Sequence, residues 1–175
     1  VLGGSDERGY SGIDTVEMYD QSTYDADTAK PESGSGIWLD TNFEGDPIAF
    51  ENGSRLLFTV NLLADGRLIC LGGTQDLLAG TVQSQGEFYD PETRTFETID
   101  ADMVEPRFRH ASIQMNDGGI LLLAGQIQTT VTVINEDIPE GYAGRQSQMT
   151  VFITTAESAI YQPTENACPL LTLPR

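Results

Sequence analysis

The stretch that decides the fold is residues 65–125, which read DGRLICLGGTQDLLAGTVQSQGEFYDPETRTFETIDADMVEPRFRHASIQMNDGGILLLAG. It opens on the pair Asp65-Gly66, and a second such pair, Asp117-Gly118, lies near its end. Asp-Gly between two apolar runs is typical of a β-hairpin with a type I′ turn, in which both central residues have φ > 0. The sequence therefore predicts two hairpins, Ser54–Leu63 with Arg67–Leu71 and Ala111–Met115 with Gly119–Leu123.

Small residues and tyrosines recur around these hairpins. Three apolar runs end on the pairs Gly3-Gly4, Gly72-Gly73 and Ala124-Gly125. Each pair is followed by a strand-like segment that contains a tyrosine, and turn residues such as Asp90-Pro91 come directly after it. The tyrosines are Tyr19, Tyr89 and Tyr161, and this regular spacing indicates one supersecondary unit repeated along the chain.

Two further positions recur with the tyrosines. Phe96 follows Tyr89 by the same interval as Cys168 follows Tyr161, and Trp38 takes that place in the first unit after an insertion at 21–36. An Arg-x-x-His element, Arg107 to His110, precedes the second hairpin. Counting back from the two Asp-Gly pairs places Arg55 and Phe58 at the corresponding positions before the first hairpin.

This ordered set of elements resembles the kelch repeat, most closely the bacterial galactose-oxidase-like branch of that family. The resemblance is continuous over 65–125 and partial on either side. It implies an all-β fold, a β-propeller whose blades are sheets of four antiparallel strands, and it implies that Arg107 bonds between neighbouring strands or blades. The repeat positions to which it gives a structural role are Tyr19, Trp38, Gly72, Gly73, Glu87, Tyr89, Asp90, Phe96, Arg107, His110 and Tyr161.

The strands group into about three blades, forming a partial propeller over 1–175. Residues 1–40 supply strands b to d of a first blade, 54–99 a full blade, and 111–173 a full blade with a long loop, Gln126–Met149, between strands b and c. Since propellers close with typically four to eight blades, we expect further blades of a longer chain, or other chains, to complete the ring.

Composition excludes several classes of partner. The formal net charge is −18, from 27 acidic and 9 basic residues, so we expect no nucleic-acid binding. No apolar run is long enough to span a membrane, so we expect no membrane insertion. The acidic, lysine-poor composition favours a secreted or cell-surface bacterial protein, and a cytoplasmic kelch adaptor is the alternative.

The long loop 126–149 carries the candidate binding residues. Loops on rigid scaffolds are where binding concentrates, and long loops in compact domains are either functional or poorly ordered. The loop offers carboxylate, amide, phenol and guanidinium groups to a ligand. The candidates are Asn135, Glu136, Asp137, Glu140, Tyr142 and Arg145.

Catalytic and metal-binding signals are weak. His110 is the single histidine, so the sequence offers neither an independent Ser-His-Asp set nor a histidine-based metal site. The copper site of galactose-oxidase-like enzymes, built from Tyr, His and a Cys–Tyr pair, has no counterpart to carry over. We expect no catalytic residues, no metal and no cofactor in this segment. Cys70 and Cys168 are interpreted as structural thiols, with a bridge between them as the alternative.

The sequence thus favours a non-catalytic binding or scaffold module that presents loops to a protein or glycan. One alternative is a part of a galactose-oxidase-like or other sugar-acting propeller enzyme whose active residues lie outside this segment. Another is a structural subunit of a surface assembly. Asn52-Gly53-Ser54 fits the N-glycosylation sequon, although Asn-Gly here also predicts a simple turn before a strand.

Overall fold

The computed structural model describes residues 1–20, 37–78, 81–103, 105–134, 136–137, 140–141, 146–161 and 170–171. Within these ranges the protein is all-β, and none of them contains a helix that could cross a membrane. The strands are β1 Met18–Asp20, β2 Ile37–Leu39, β3 Thr59–Leu62, β4 Leu68–Leu71, β5 Gln85–Asp90, β6 Thr95–Asp102, β7 Ala111–Gln114, β8 Ile120–Leu123, β9 Gln126–Ile134, β10 Gln146–Thr154, β11 Ser158–Tyr161 and β12 Leu170–Leu171.

The second repeat unit is a four-stranded antiparallel sheet in the order β3-β4-β5-β6, as the repeat predicts. The turn between β3 and β4 differs from the predicted type I′. Gly66 has φ of 92°, whereas Asp65 is not among the residues with positive φ. Leu63 and Arg67 close the turn through an N–H···O bond of 2.8 Å, which leaves three residues between them. A type I turn followed by a left-handed glycine needs positive φ at the glycine alone, so Asp65 keeps its ordinary conformation.

The third unit is also a four-stranded antiparallel sheet, in the order β12-β11-β8-β7. Its two remaining strands are the short β11 and β12, and residues 172 and 173 of the predicted blade lie outside the described residues. The expected long loop 126–149 is wrong, because most of it forms β9 and the first part of β10.

The first unit is the least regular. β1 and β2 pair with Tyr19 opposite Trp38, and single bridges join Leu2 to Val16 and Thr15 to Ala49. The insertion at 21–36 lies outside the described residues. No strand a is described for the first unit. The face of β3 that is turned toward this unit is therefore partly uncovered, and Leu62 on that face is 61% exposed.

The second sheet is covered on both faces. Against the third sheet it buries Ile69, Leu71 and Ile99, which pack with Ile120, Leu122 and Tyr161. Against the first unit it buries a second cluster of apolar side chains. The three units are therefore stacked face to face, and each hydrophobic core lies between neighbours. The second cluster consists of Val16, Ile48, Phe50, Cys70, Tyr89 and Phe96.

Candidate binding surface

A buried ion pair braces the second unit. The side chains of Arg55 and Glu87 have no exposed surface, and Arg55 Nη2 lies 2.6 Å from Glu87 Oε1. Arg55 Nη1 donates to the carbonyl of Gly72 at 2.9 Å, and the backbone N–H groups of Glu51 and Asn52 donate to the carboxylate at 2.8 and 3.3 Å. A charge is tolerated in a protein core only when it is paired and hydrogen-bonded, so this pair serves the architecture.

Arg107 repeats this brace in the third unit. Its Nη1 donates to the carbonyl of Ala124 at 3.0 Å, as Arg55 does to Gly72. Ala159 occupies the place of Glu87, and Arg107 instead donates to the carbonyl of Glu157 at 2.8 Å and to the carboxylate of Glu105 at 3.0 Å. The two carbonyls flank β8 and β11, so the guanidinium joins neighbouring strands.

His110 lies buried between the second and third units. Its Nε2 is 2.9 Å from Thr59 Oγ1, and its Nδ1 has no hydrogen-bond partner among the described residues. Burial, with a smaller contribution from Arg107, lowers the pKa of His110 to about 4. The ring packs so closely on Gly72 that an added Cβ there would lie 2.6 Å from His110 Cε1. A neutral, enclosed imidazole in this place packs the two sheets together.

Two other residues singled out in the sequence, Cys70 and Asn52, are buried and half-buried, respectively. Cys70 is a buried free thiol, and burial raises its pKa to about 12, which removes it as a nucleophile at neutral pH. Cys168 lies outside the described residues. Asn52 donates its side-chain amide to Thr98 Oγ1 at 2.9 Å, so the nitrogen that a glycan would occupy is already engaged. Among the described residues no cluster of three His, Cys, Asp or Glu side chains could hold a metal.

The surface feature that stands out is the ribbon, defined here as β9 and β10 paired antiparallel over nine residues each. Its register runs without a bulge from Gln126 opposite Thr154 to Ile134 opposite Gln146. Opposed residues share a face, and alternate residues change face. One face of the ribbon is therefore apolar over most of its length and is formed by Ile127, Thr129, Val131, Val133, Ser147, Met149, Val151 and Ile153.

The apolar face is accessible to solvent. Val131, Val133, Met149 and Ile153 are between 36% and 50% exposed, which is unusual for apolar side chains on one face of a sheet. Neither strand contains a charged residue, although the chain as a whole is 21% charged. A face of this kind is suited to contact with another molecule rather than to hydration alone.

The tip of the ribbon holds the residues that the sequence marked as binding candidates. Glu136, Asp137 and Glu140 are exposed there. Asn135, Tyr142 and Arg145 lie outside the described residues. The described part of the tip is acidic, so it supplies a negative potential at the far end of an uncharged ribbon.

The base of the ribbon is anchored to the third unit. Phe152 packs edge-to-face on the buried Phe108, with ring centroids 5.1 Å apart. Phe108 and Gln126 exchange backbone hydrogen bonds of 3.0 and 2.8 Å, and Arg109 donates to the Gln126 side chain. These contacts fix the direction in which the ribbon leaves the sheet.

A groove of about 500 Å³ runs along one side of the ribbon. It is bounded on one side by four consecutive residues of β9 and on the other by residues of the preceding unit and its connection, and no residue of β10 contributes to it. Since consecutive residues point to opposite faces, the groove faces the edge of β9. Its lining residues are Val82, Glu105, Pro106, Ile127, Gln128, Thr129 and Thr130.

Sequence reasoning missed the ribbon, although a signal was present. Residues 126–134 and 146–154 are rich in β-branched side chains and show partial alternation, the usual signature of strands. Each of the two strands has nine residues and is longer than any described strand of the four-stranded units, of which β6 with eight residues is the longest. Residues 126–149 are predicted as a loop because they join strands b and c of the third repeat unit.

The similarity of this chain to known proteins concerns its fold alone. No protein family and no curated protein matches the chain. Among solved structures the chain is similar to YjhT, with a TM-score of 0.52 and 17% sequence identity over 97% of this chain. The chain spans about half of that structure, 49% of its length.

Proposed function

We propose that the chain is part of a kelch-type β-propeller that acts as a non-catalytic binding module, with the ribbon presented to a protein or glycan. The observation that carries the proposal is the ribbon itself, an extension of a structural repeat that leaves its apolar side chains exposed. The repeated arginine brace at Arg55 and Arg107 supports the kelch assignment, because equivalent residues make equivalent bonds in successive units.

An incomplete ring is part of the same proposal. The outer face of the third sheet places Ile113, Leu121 and Ile160 in one cross-strand row, and Ile113 is 52% exposed. The second sheet, by contrast, has both faces covered by neighbours. Further blades of a longer chain or other chains would cover this face, in line with the span of half of YjhT. The acidic composition supports a place at the bacterial cell surface or outside the cell.

The test uses the whole chain and a chimaera in which residues 126–154 are replaced by a copy of 74–82, the corresponding connection of the second unit. Both are applied to a printed glycan array and to an array of immobilised peptides. We expect the native chain to give signals that the chimaera lacks, and a control variant, Leu78→Ser, to keep them. Leu78 is 72% exposed and belongs to the connection of the second unit, not to the ribbon.

Two results would contradict the proposal. Signals that the chimaera retains in full would show that the ribbon does not bind. Stoichiometric copper and an oxidase activity in the complete protein would favour the galactose-oxidase-like alternative.

An acidic surface that attracts a basic partner also predicts weaker binding at 1 M salt than at 0.1 M, since screening shortens the range of charge interactions.

A further inference from the structure

Among the residues that the structure describes, none pairs with the outer edge of β9 beyond Gln126. Gln126 directs its N–H and C=O away from β10, toward Phe108. In a regular antiparallel pair every second residue does the same, so Gln128, Thr130 and Thr132 also direct these groups outward. β9 pairs with β10 alone, and no described strand lies on its other side.

The reason the edge stays open is Pro106. The segment that ends at Phe108 runs antiparallel to the start of β9, which would next place residue 106 opposite Gln128. Proline has no N–H to donate to the Gln128 carbonyl, and no backbone hydrogen bond joins residues 106 and 128. Pro106 and Gln128 both line the groove, which therefore separates the segment from β9 at this point.

Building on the proposed function, we propose that this edge accepts an extended polypeptide strand of a partner protein, which pairs with β9 from Gln128 to Thr132. Five residues of strand extend about 17 Å, and the strand enters the groove beside β9. The partner's alternate side chains lie against the apolar face of the ribbon and against Val82, which lines the opposite wall.

The edge is unprotected in a way that suits strand addition. Natural edge strands are commonly blocked by charged residues, proline or bulges, and β9 has none of these over its nine residues. An isolated two-stranded ribbon is marginally stable in water, so a third strand would also stabilise the ribbon itself.

Charge determines which strand fits. Glu136 and Glu140 lie exposed at the tip. A second copy of the chain would bring a net charge of −18 to this acidic tip, so it is disfavoured there. A partner strand with basic residues at the end that reaches the tip is complementary instead.

The experiment uses the whole chain and a synthetic peptide, Lys-Lys-Thr-Val-Thr-Val-Thr-Val, whose lysines reach the tip when it pairs antiparallel to β9. Binding is measured by fluorescence anisotropy, and amide hydrogen exchange is followed at Gln128, Thr130 and Thr132. We expect these three amides to exchange rapidly in the free chain and to become protected when the peptide binds. A peptide methylated on alternate amide nitrogens, which cannot complete the ladder, should bind at least about tenfold more weakly.

Thr130→Pro provides the matched variant. The N–H of Thr130 points outward, so proline there leaves the β9–β10 pairing intact and blocks the edge. Its expected effect is an affinity loss of about tenfold, whereas Thr130→Ala should stay within about twofold of the native chain. Persisting protection at Val131 and Val133 shows that the ribbon of the proline variant is still folded.

Three outcomes would overturn this inference. Equal binding of the methylated peptide, or of Thr130→Pro, would exclude backbone pairing. Protection of the three amides in the free chain would show that a second copy or another segment already occupies the edge, and sedimentation would tell these apart. Array signals that depend on the ribbon, with no peptide binding, would refute strand addition while leaving the proposed function intact.

Discussion

At the scale of single residues, the interior is organised by two arginines that the repeat places at equivalent positions. Arg55 has a carboxylate partner from β5, whereas Arg107 relies on backbone carbonyls and on Glu105. The Glu105 side chain is 25% exposed, so the second brace is closer to solvent than the first. In both units a buried arginine is satisfied by hydrogen bonds, but the acceptors differ. We expect substitutions at the fully buried Arg55–Glu87 pair to lower stability more than substitutions at the Arg107–Glu105 pair.

The Arg55–Glu87 pair predicts a large cost for removing one charge. We expect Glu87→Gln to lower the free energy of unfolding by about 3 kcal/mol, because Arg55 would remain buried without its counter-charge. In a double-mutant cycle with Arg55→Met, chemical denaturation should give a coupling of about 2 kcal/mol. Strict additivity of the two single changes would show that the pair contributes no specific interaction.

His110 predicts a pH dependence. The folded chain holds its pKa near 4, below the ordinary 6.5, so folding favours the neutral ring. The stability that this preference supplies is complete above pH 6.5 and is lost as the pH falls toward 4. Between pH 7 and pH 5, the native chain should lose about 2 kcal/mol more stability than His110→Phe, which introduces the residue found at the equivalent position 58.

The measurement is urea denaturation of both proteins at the two pH values. The titration of the many carboxylates is common to both and cancels in the comparison. Equal losses in the two proteins would mean that His110 is accessible to protons, and its packing role would then need revision.

At the scale of elements, the ribbon is an enlargement of a connection that the second unit makes in nine residues. Gln83 donates to the carbonyl of Gly73 at 2.9 Å, and Thr155 donates to that of Gly125 at 3.0 Å, so the two connections start and end at equivalent bonds. The number of residues between these two hydrogen-bonded positions can differ from one unit to the next without disturbing the sheet.

This equivalence predicts that the ribbon is dispensable for folding. The chimaera that carries residues 74–82 in place of 126–154 should keep its β-sheet circular dichroism and lose only about 1 kcal/mol, chiefly the contact of Phe152 with Phe108. Thermal unfolding checks this. Loss of cooperative unfolding would show instead that the ribbon is part of the core.

At the scale of the whole molecule, the described residues of the three stacked units leave one face of the third sheet uncovered. Its exposed row includes Ile113 on β7, an edge strand. The same face on the second sheet is buried, with Ile69 fully inaccessible inside it. We propose that a neighbour, from the same chain or another, covers this apolar face.

We therefore expect the 175-residue chain, produced alone, to self-associate at micromolar concentrations. Ile113→Lys should shift the sedimentation profile toward the monomer, because it places a charge at the exposed end of the uncovered row. Leu78→Lys, an equally drastic change at an exposed position on a connection, should have no such effect. A native chain that sediments as a monomer and binds no hydrophobic dye would contradict the expectation of an incomplete ring.

The sequence by itself determined the local features: the hairpins at the two Asp-Gly pairs, the repeated tyrosines and the four-stranded units, because turn chemistry and side-chain alternation act between near neighbours. The exact turn type escaped it, since a left-handed glycine satisfies either turn. Tertiary structure alone decided the rest. Glu87 pairs with Arg55 inside the second unit, and Pro106 lies beside the edge of β9, only once the strands have paired. These contacts join residues far apart in the chain, and their partners depend on how each strand is placed against the next.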